Sequence, residues 1–243
     1  VVAPDRAHVW RDALGRKPQA QARPGAAGGP RAEAEPAPAG LVLEHLDEPI
    51  QEGVAVVVAS AAGDCTIFDC ASTEGAQRLE LCHGYPFPAT DAAQPRVSLF
   101  QPGRGGARAT VHRGRTRSTG ALRVYTVVLT KRTRGKRAAE QDLGADLFVD
   151  GARELEDAPL ARSRGFGDRV VLGADHLGRW PLRGAIHDFA LFRGRVPGAF
   201  ARGLERALAA KHGIELRGDD AEDESDGAAE EDIDDDFDDD EDA

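Results

Sequence analysis

From Leu41 onward the chain is written in short apolar runs, each closed by a cluster of Gly, Pro, Asp or Arg. The runs cover residues 41–46, 54–60, 65–69, 78–82, 96–101, 107–112, 123–129, 146–149, 152–155, 170–173 and 185–192. Many short strands separated by turn signals predict a sandwich or barrel. In one run Leu122, Val124, Thr126 and Val128 alternate with Arg123, Tyr125, Val127 and Leu129, and both sets become apolar toward its end. That pattern predicts a central strand buried on both faces. Asp150-Gly151, between Val149 and Ala152, supplies the positive φ values of a type I′ hairpin turn. One helix is predicted over 198–212. Phe200, Leu204 and Leu208 form its apolar stripe, Pro197 stands at its start, Lys211 and His212 suit its negative end, and Gly213 follows as a C′ residue.

The flanks read differently. Residues 1–17 are mixed. Residues 18–40 are mostly Ala, Pro and Gly and predict a long surface loop or extended segment, because Pro and Gly interrupt any regular element. Residues 218–243 hold 17 acidic and no basic residues, with Ile233 and Phe237 the interruptions among the acids, and predict a disordered acidic tail.

Three segments, taken in order, resemble one family. Val9-Trp10-Arg11-Asp12-Ala13-Leu14-Gly15 is similar to the opening V-W-x-D-x-S-G of LamG-like jelly rolls in the concanavalin A-like lectin/glucanase superfamily. Leu147-Phe148-Val149-Asp150-Gly151 is similar to their L-Y-V-D-G hairpin. Gly184-Ala185-Ile186-His187-Asp188-Phe189-Ala190-Leu191-Phe192, with the helix ending Lys211-His212-Gly213-Ile214, is similar to their last strand and terminus. The departures are Leu14, where the family has Ser, and Val196-Pro197-Gly198, where a Leu-Ser helix start is common. The resemblance implies an all-β, two-sheet antiparallel jelly-roll sandwich over 1–217, with one C-terminal helix and the 18–40 loop inside it. It further implies a non-catalytic member, a glycan or protein ligand met by loops or the concave sheet, and an extracellular or cell-surface setting. Trp10 is expected to plug one end of the core. The calcium sites of some LamG domains cannot be placed here residue by residue; no cofactor or metal ligand is assigned, with calcium left open by the resemblance but not placeable.

Charge changes the picture. The net charge of -11 belongs to the tail, because residues 1–217 carry 31 basic and 25 acidic residues. No run is long and apolar enough for a membrane span. No signal peptide stands at the visible N-terminus, and a chain without Met is consistent with a fragment or a processed product. No acidic residue occurs from Ala92 to Ala139, a stretch that contains Arg104, Arg108, Arg113, Arg115, Arg117, Arg123, Lys131, Arg132, Arg134, Lys136 and Arg137. These cations suit phosphates or a sulfated polyanion. Without interleaved aromatics to stack bases, no specific nucleic-acid partner is expected.

Candidate chemistry is sparse. Glycoside hydrolysis needs two carboxylates flanking the bond, and the Glu-x-Asp-x-x-Glu string of the superfamily's glucanases is missing. Asp188 is expected to be structural. Asp64 and Asp69, an odd number apart, are expected on opposite strand faces. The same parity sets Cys65 and Cys70 apart, and with Cys82 they are expected to be inert thiols rather than zinc ligands. For glycan contact the candidates are His83 and Tyr85, placed in one loop with Phe87, and His176, Arg179 and Trp180 ahead of the last strand. Two alternatives stand beside the binding module: a divergent glycoside hydrolase or lyase, and an acidic-tail protein that binds basic partners.

Overall fold

The computed structural model describes residues 6–11, 41–43, 49–72, 78–84, 95–102, 109–132, 141–163, 166–167 and 169–217, with the side chains of 6–11, 43, 132, 141–142 and 161–163 set aside. Its strands are β1 (Arg6–Arg11), β2 (Leu41–Leu43), β3 (Gly53–Ala61), β4 (Cys65–Ala71), β5 (Arg78–His83), β6 (Arg96–Gln101), β7 (Thr110–Arg117), β8 (Leu122–Arg132), β9 (Gln141–Val149), β10 (Ala152–Ser163), β11 (Arg169–Leu172) and β12 (Gly184–Arg193), followed by α1 (Gly198–His212). They form two six-stranded sheets, β1-β12-β3-β8-β9-β10 and β2-β11-β4-β5-β6-β7, with antiparallel pairing throughout. This is the expected two-sheet jelly-roll sandwich. The acidic tail, the 18–40 loop and the side chain of Trp10 lie outside the described residues.

Alternation builds the two layers of core. Val57, Ala59, Tyr125, Val127, Leu147, Phe189 and Leu191 face Ile67, Phe68, Leu79, Leu81, Val97, Leu99 and Val170 across the sandwich. The opposite face of the first sheet presents Val54, Val56, Val58 and Val124 to α1. Burial on both faces explains why β3 and β8 read as nearly continuous apolar runs. The buried line of α1 is Ala201, Glu205 and Ala209, with Leu204 and Leu208 beside it. Phe200 departs from the expected stripe: it is 42% exposed and lies edge-on to Phe192, with ring centroids 5.0 Å apart. Small alanines let the helix approach the sheet, and Glu205 is tolerated because Thr126 Oγ1 (3.0 Å) and Arg202 Nη1 (3.1 Å) donate to it. Gly213 ends the helix in the left-handed region, at φ 65°, and the Ile214 N–H donates to Ala209 O at 2.9 Å. The hairpin turn is as expected, with φ 51° at Asp150 and 81° at Gly151.

Two features depart from the expectations of strand parity and extent. β1, part of the stretch read as mixed, is an edge strand paired along its length with β12. In β4, Thr66 pairs with Cys82 but Phe68 pairs with Leu81, so Ile67 is an extra residue and the strand bulges. The bulge resets the alternation. Cys65 and Cys70 thus share the inter-sheet core despite their odd spacing, while Thr66 and Asp69 share the outer face of the second sheet.

Candidate functional site

The bulge in β4 is also the seat of a closed loop, Gly173–Leu182. Gly173 N–H donates to Ile67 O (2.8 Å), Thr66 N–H donates to Trp180 O (2.9 Å), and Leu182 N–H donates to Gly173 O (2.8 Å) across the loop base. Inside it, Asp175 Oδ1 accepts the N–H groups of Leu177 (3.0 Å) and Arg179 (2.7 Å), while Oδ2 accepts Arg179 Nε at 3.0 Å. A compact loop whose ends meet and whose amides are bound by its own side chain is rigid by construction. Leu177 (62%) is exposed at its tip and Trp180 (40%) on its returning arm, where Trp180 sits at φ 54°, a conformation that a bulky side chain adopts only when its surroundings impose it.

Under this loop, on the outer face of the second sheet, lies a buried charged cluster. Asp69, Glu80 and Asp175 are fully buried. Arg78 stands among them, with Nε 2.9 Å from Asp69 Oδ2 and Nη2 against Glu80 Oε2 and 3.9 Å from Asp175 Oδ2. Its guanidinium also lies 5.2 Å from the centroid of the Phe100 ring. Thr66 Oγ1 donates to Glu80 Oε1. Asp69 Oδ2 accepts the His176 N–H at 2.8 Å and faces His176 Nδ1 at 3.3 Å, and Arg169 Nη2 donates to His176 O at 2.5 Å. Loss of water around Glu80 raises its carboxyl from 4.5 to about 7, with Arg78 opposing and Asp69 adding to the rise. The arrangement ties the loop to the sheet through Asp69–His176 and Arg78–Asp175, while Asp175–Arg179 braces the loop from within. Among the described residues no group of three or more His, Cys, Asp or Glu is disposed to hold a metal ion. Arg78 takes the place a cation would need among the three carboxylates, so these residues do not suit calcium.

Of the expected glycan-contact residues, the structure brings His176, Arg179 and Trp180 together on this loop. Tyr85 lies outside the described residues. His83 is not in a loop but is the last residue of β5, fully buried in the core with Nε2 3.1 Å from Tyr125 Oη. Burial there drives its imidazole down to about 4. All three cysteines are buried free thiols, and burial raises the pKa of each. Asp188 accepts both Lys211 Nζ (2.7 Å to each oxygen) and His212 Nε2, which ties β12 to the end of α1. Burial disfavours its charge, but the hydrogen bonds and charges of Lys211 and His212 outweigh this and hold the carboxyl below its ordinary range.

The expected cationic stretch is divided. Arg113, Arg115 and Arg117 are exposed along β7 at one end of the second sheet. Lys131 belongs to the first sheet, 3.8 Å from Glu52, and Arg123 is half-buried against Asp150 at 2.5 Å. For Arg132 the backbone alone is described, and Arg104, Arg108, Arg134, Lys136 and Arg137 lie outside the described residues. Glu80 and Asp175 are carboxylates that sequence reasoning missed, and Asp69, weighed there only against Asp64, has its partners in Arg78 and His176. The alternation of Arg78 and Glu80 with apolar Leu79 and Leu81 placed both on one face, yet nothing local showed that face to be covered.

No family model matches the chain, and no curated protein matches it. Among solved structures it is similar to domain 4 of AbnA, a GH43 extracellular arabinanase from Geobacillus stearothermophilus, in complex with arabinotriose. That likeness has 13% identity, covers 68% of this chain and 72% of that one, and has a TM-score of 0.44. It is also similar to domains LG4-5 of the mouse laminin alpha1 chain, at 15% identity over 71% of this chain and 45% of that one, with a TM-score of 0.35. The matched region thus spans less than half of the laminin fragment. No helix among the described residues is long and apolar enough to cross a membrane.

Proposed function

We propose that this chain is a glycan-binding module that meets its ligand on the exposed side of the Gly173–Leu182 loop. The observation that carries the reading is the exposed Trp180 indole on a loop whose backbone is fixed from within by Asp175 and from below by Asp69 and Arg78. A sugar ring has an apolar face and a hydroxylated edge. The indole offers a flat apolar surface for the first, and Arg179, whose side chain is 55% exposed, offers donors for the second. A loop already held in shape loses little conformational freedom on binding, so a small contact area gives useful affinity. His176 acts from beneath, as an anchor to Asp69. A setting outside the cell is part of this reading.

A glycan array probed with the full chain, followed by titration calorimetry on the glycans retained, tests it. Trp180→Ala is expected to abolish retention while leaving the thermal midpoint close to that of the parent. Unchanged retention by that variant would refute the assignment of the loop. The second reading, a glycoside hydrolase, is favoured by one observation: Asp69 and Glu80 are register partners on β4 and β5, and Glu80 has a carboxyl raised to about 7. Both are fully buried and bridged by Arg78, which leaves a glycosidic oxygen no route to them among the described residues. Release of reducing sugar from a β-glucan, lost in Glu80→Gln, would establish that reading.

A further inference from the structure

We propose that Glu80 is a proton-operated latch for the Gly173–Leu182 loop: with its carboxyl protonated the loop stays docked on the second sheet, and with the carboxyl ionised the loop detaches. Glu80 is fully buried under the loop, and two chains of contacts run upward from it. One passes through Thr66, whose Oγ1 donates to Glu80 Oε1 and whose N–H donates to Trp180 O at 2.9 Å. The other passes through Arg78, whose Nη2 meets Glu80 Oε2 and lies 3.9 Å from Asp175 Oδ2. Asp175 in turn holds the N–H groups of Leu177 and Arg179. Both routes end on the backbone of the loop.

Charge decides the direction. Asp69, Glu80 and Asp175 are fully buried, and Arg78 lies between all three. Arg179 meets Asp175 from the loop, and His176 Nδ1 faces Asp69 at 3.3 Å. The other groups around Glu80 come from three strands. β4 supplies Thr66 and Asp69, and β5 itself supplies Arg78 and Cys82, a thiol that burial keeps neutral. β6 pairs Phe100 with Glu80 and Ser98 with Cys82, and neither is charged. Arg169 of β11 donates to His176 O instead. Among the described residues Arg78 is thus the one cation paired with Glu80, and it is shared. When all three carboxylates are ionised, Arg78 is drawn to Glu80, its hold on Asp175 weakens, and the carboxylates repel one another with little water to screen them. A proton on Glu80 removes one of these charges and leaves Arg78 to Asp69 and Asp175. Detachment admits water, which favours the ionised carboxyl. Trp180, at φ 54°, also leaves an unfavourable backbone conformation once the Thr66 N–H lets go.

Linkage gives the size of the effect. Burial in the docked state lifts the Glu80 carboxyl from 4.5 to about 7, and solvation returns it toward 4.5. Between those values each pH unit multiplies the ratio of detached to docked loop by up to about ten, and above about 7 the ratio levels off. A glycan met on this loop binds less tightly across the same interval. That consequence rests on the glycan-binding reading, whereas the latch is measured without a ligand.

Hydrogen exchange of the full chain, followed residue by residue from pH 5 to 8, tests this. The reporters are the N–H groups of Thr66, Gly173, His176 and Leu182, which hold the loop to the sheet and close its base. The Gly194 N–H, bound to Glu52 O beyond the opposite end of β12, is the reference. After correction for the rise of intrinsic exchange with pH, protection of the four reporters should fall at least about tenfold from pH 5 to 7 and then level off, while that of Gly194 stays nearly constant. The fall should vanish in Glu80→Gln and persist in His176→Gln, which keeps the backbone N–H at that position. Should Glu80→Gln fail to fold, the parent profile against Gly194 and the His176→Gln profile decide the matter. Protection that is flat with pH, that equals the protection of the β3 core at every pH, that still falls in Glu80→Gln, or that no longer falls in His176→Gln would overturn the proposal. No glycan is present in the experiment, so failure of the latch and failure of the glycan-binding reading are told apart.

Discussion

Replacing Glu80 by Gln converts the buried cluster into a measurable pH effect. Burial, opposed by Arg78 and aided by Asp69, places the native carboxyl near 7, whereas its ordinary value is 4.5. Between these values the native state keeps a proton that the unfolded state has released. The stability this contributes is complete below 4.5 and is lost as pH rises through about 7. At roughly 1.4 kcal/mol per pH unit, a window of about 2.5 units amounts to about 3 kcal/mol. Gln is nearly isosteric. Its carbonyl can accept from Arg78 while its amide donates to the Thr66 hydroxyl, which both donates and accepts. The variant should therefore keep the packing and lose the titration. His83, held at about 4, works in the opposite sense: as pH falls its unfolded form takes a proton first, so stability rises with pH up to its ordinary 6.5. That contribution is common to both proteins and cancels in the difference. Denaturant unfolding of the parent and of Glu80→Gln at several pH values from 4.5 to 8 should show the variant gaining on the parent by about 3 kcal/mol across the range. A difference that stays constant with pH, or shrinks as pH rises, would refute the account of Glu80.

Arg78→Met leaves Asp69 and Glu80 buried without their cation and should cost about 3–5 kcal/mol at neutral pH, visible as a thermal midpoint lower by roughly 6–20 °C; adding Glu80→Gln should restore part of the loss. Asp188→Asn should cost about 1–2 kcal/mol at pH 6, limited because the Lys211 partner is half exposed. Since the Asp188 carboxyl is held below its ordinary value of 3.8, that difference should close as pH falls through the depressed value in acid unfolding. Gly167→Ala should destabilise by at least about 2 kcal/mol in the same assay, because Gly167 sits at φ 35° and an added Cβ would lie 2.3 Å from Ala71 O. Ending the chain after Arg217 should move the thermal midpoint by no more than about 2 °C, since the removed residues add almost no apolar surface.

Much of the candidate site was visible as residues without being visible as a site. His176, Arg179 and Trp180 lie within five positions, and their Gly-rich surroundings marked a surface loop. What holds the loop in place comes from three separate stretches: Asp69 on β4, Arg78 and Glu80 on β5, and Asp175 on the loop itself. Charges so far apart in sequence carry no local signal. A strand reads the same to its own neighbours whether water or a loop covers its outer face.

The boundaries of β6 and α1 and the Asp150-Gly151 turn follow from local physics, because alternation, helix-end residues and left-handed φ preferences act within a few residues. The two-layer sandwich follows from many such strands, since short half-apolar strands have few ways to bury their faces. Three things were decided only in three dimensions. β1 is a strand because β12, nearly 180 residues away, offers it an edge. Cys65 and Cys70 share a core because one bulge at Ile67 reverses the alternation between them. The run of cations is not one face, because β7 belongs to one sheet and β8 to the other, and pairing with Asp150 takes Arg123 out of it. In each case the deciding interaction is between residues distant along the chain, and its energy exists only once the chain has brought them together.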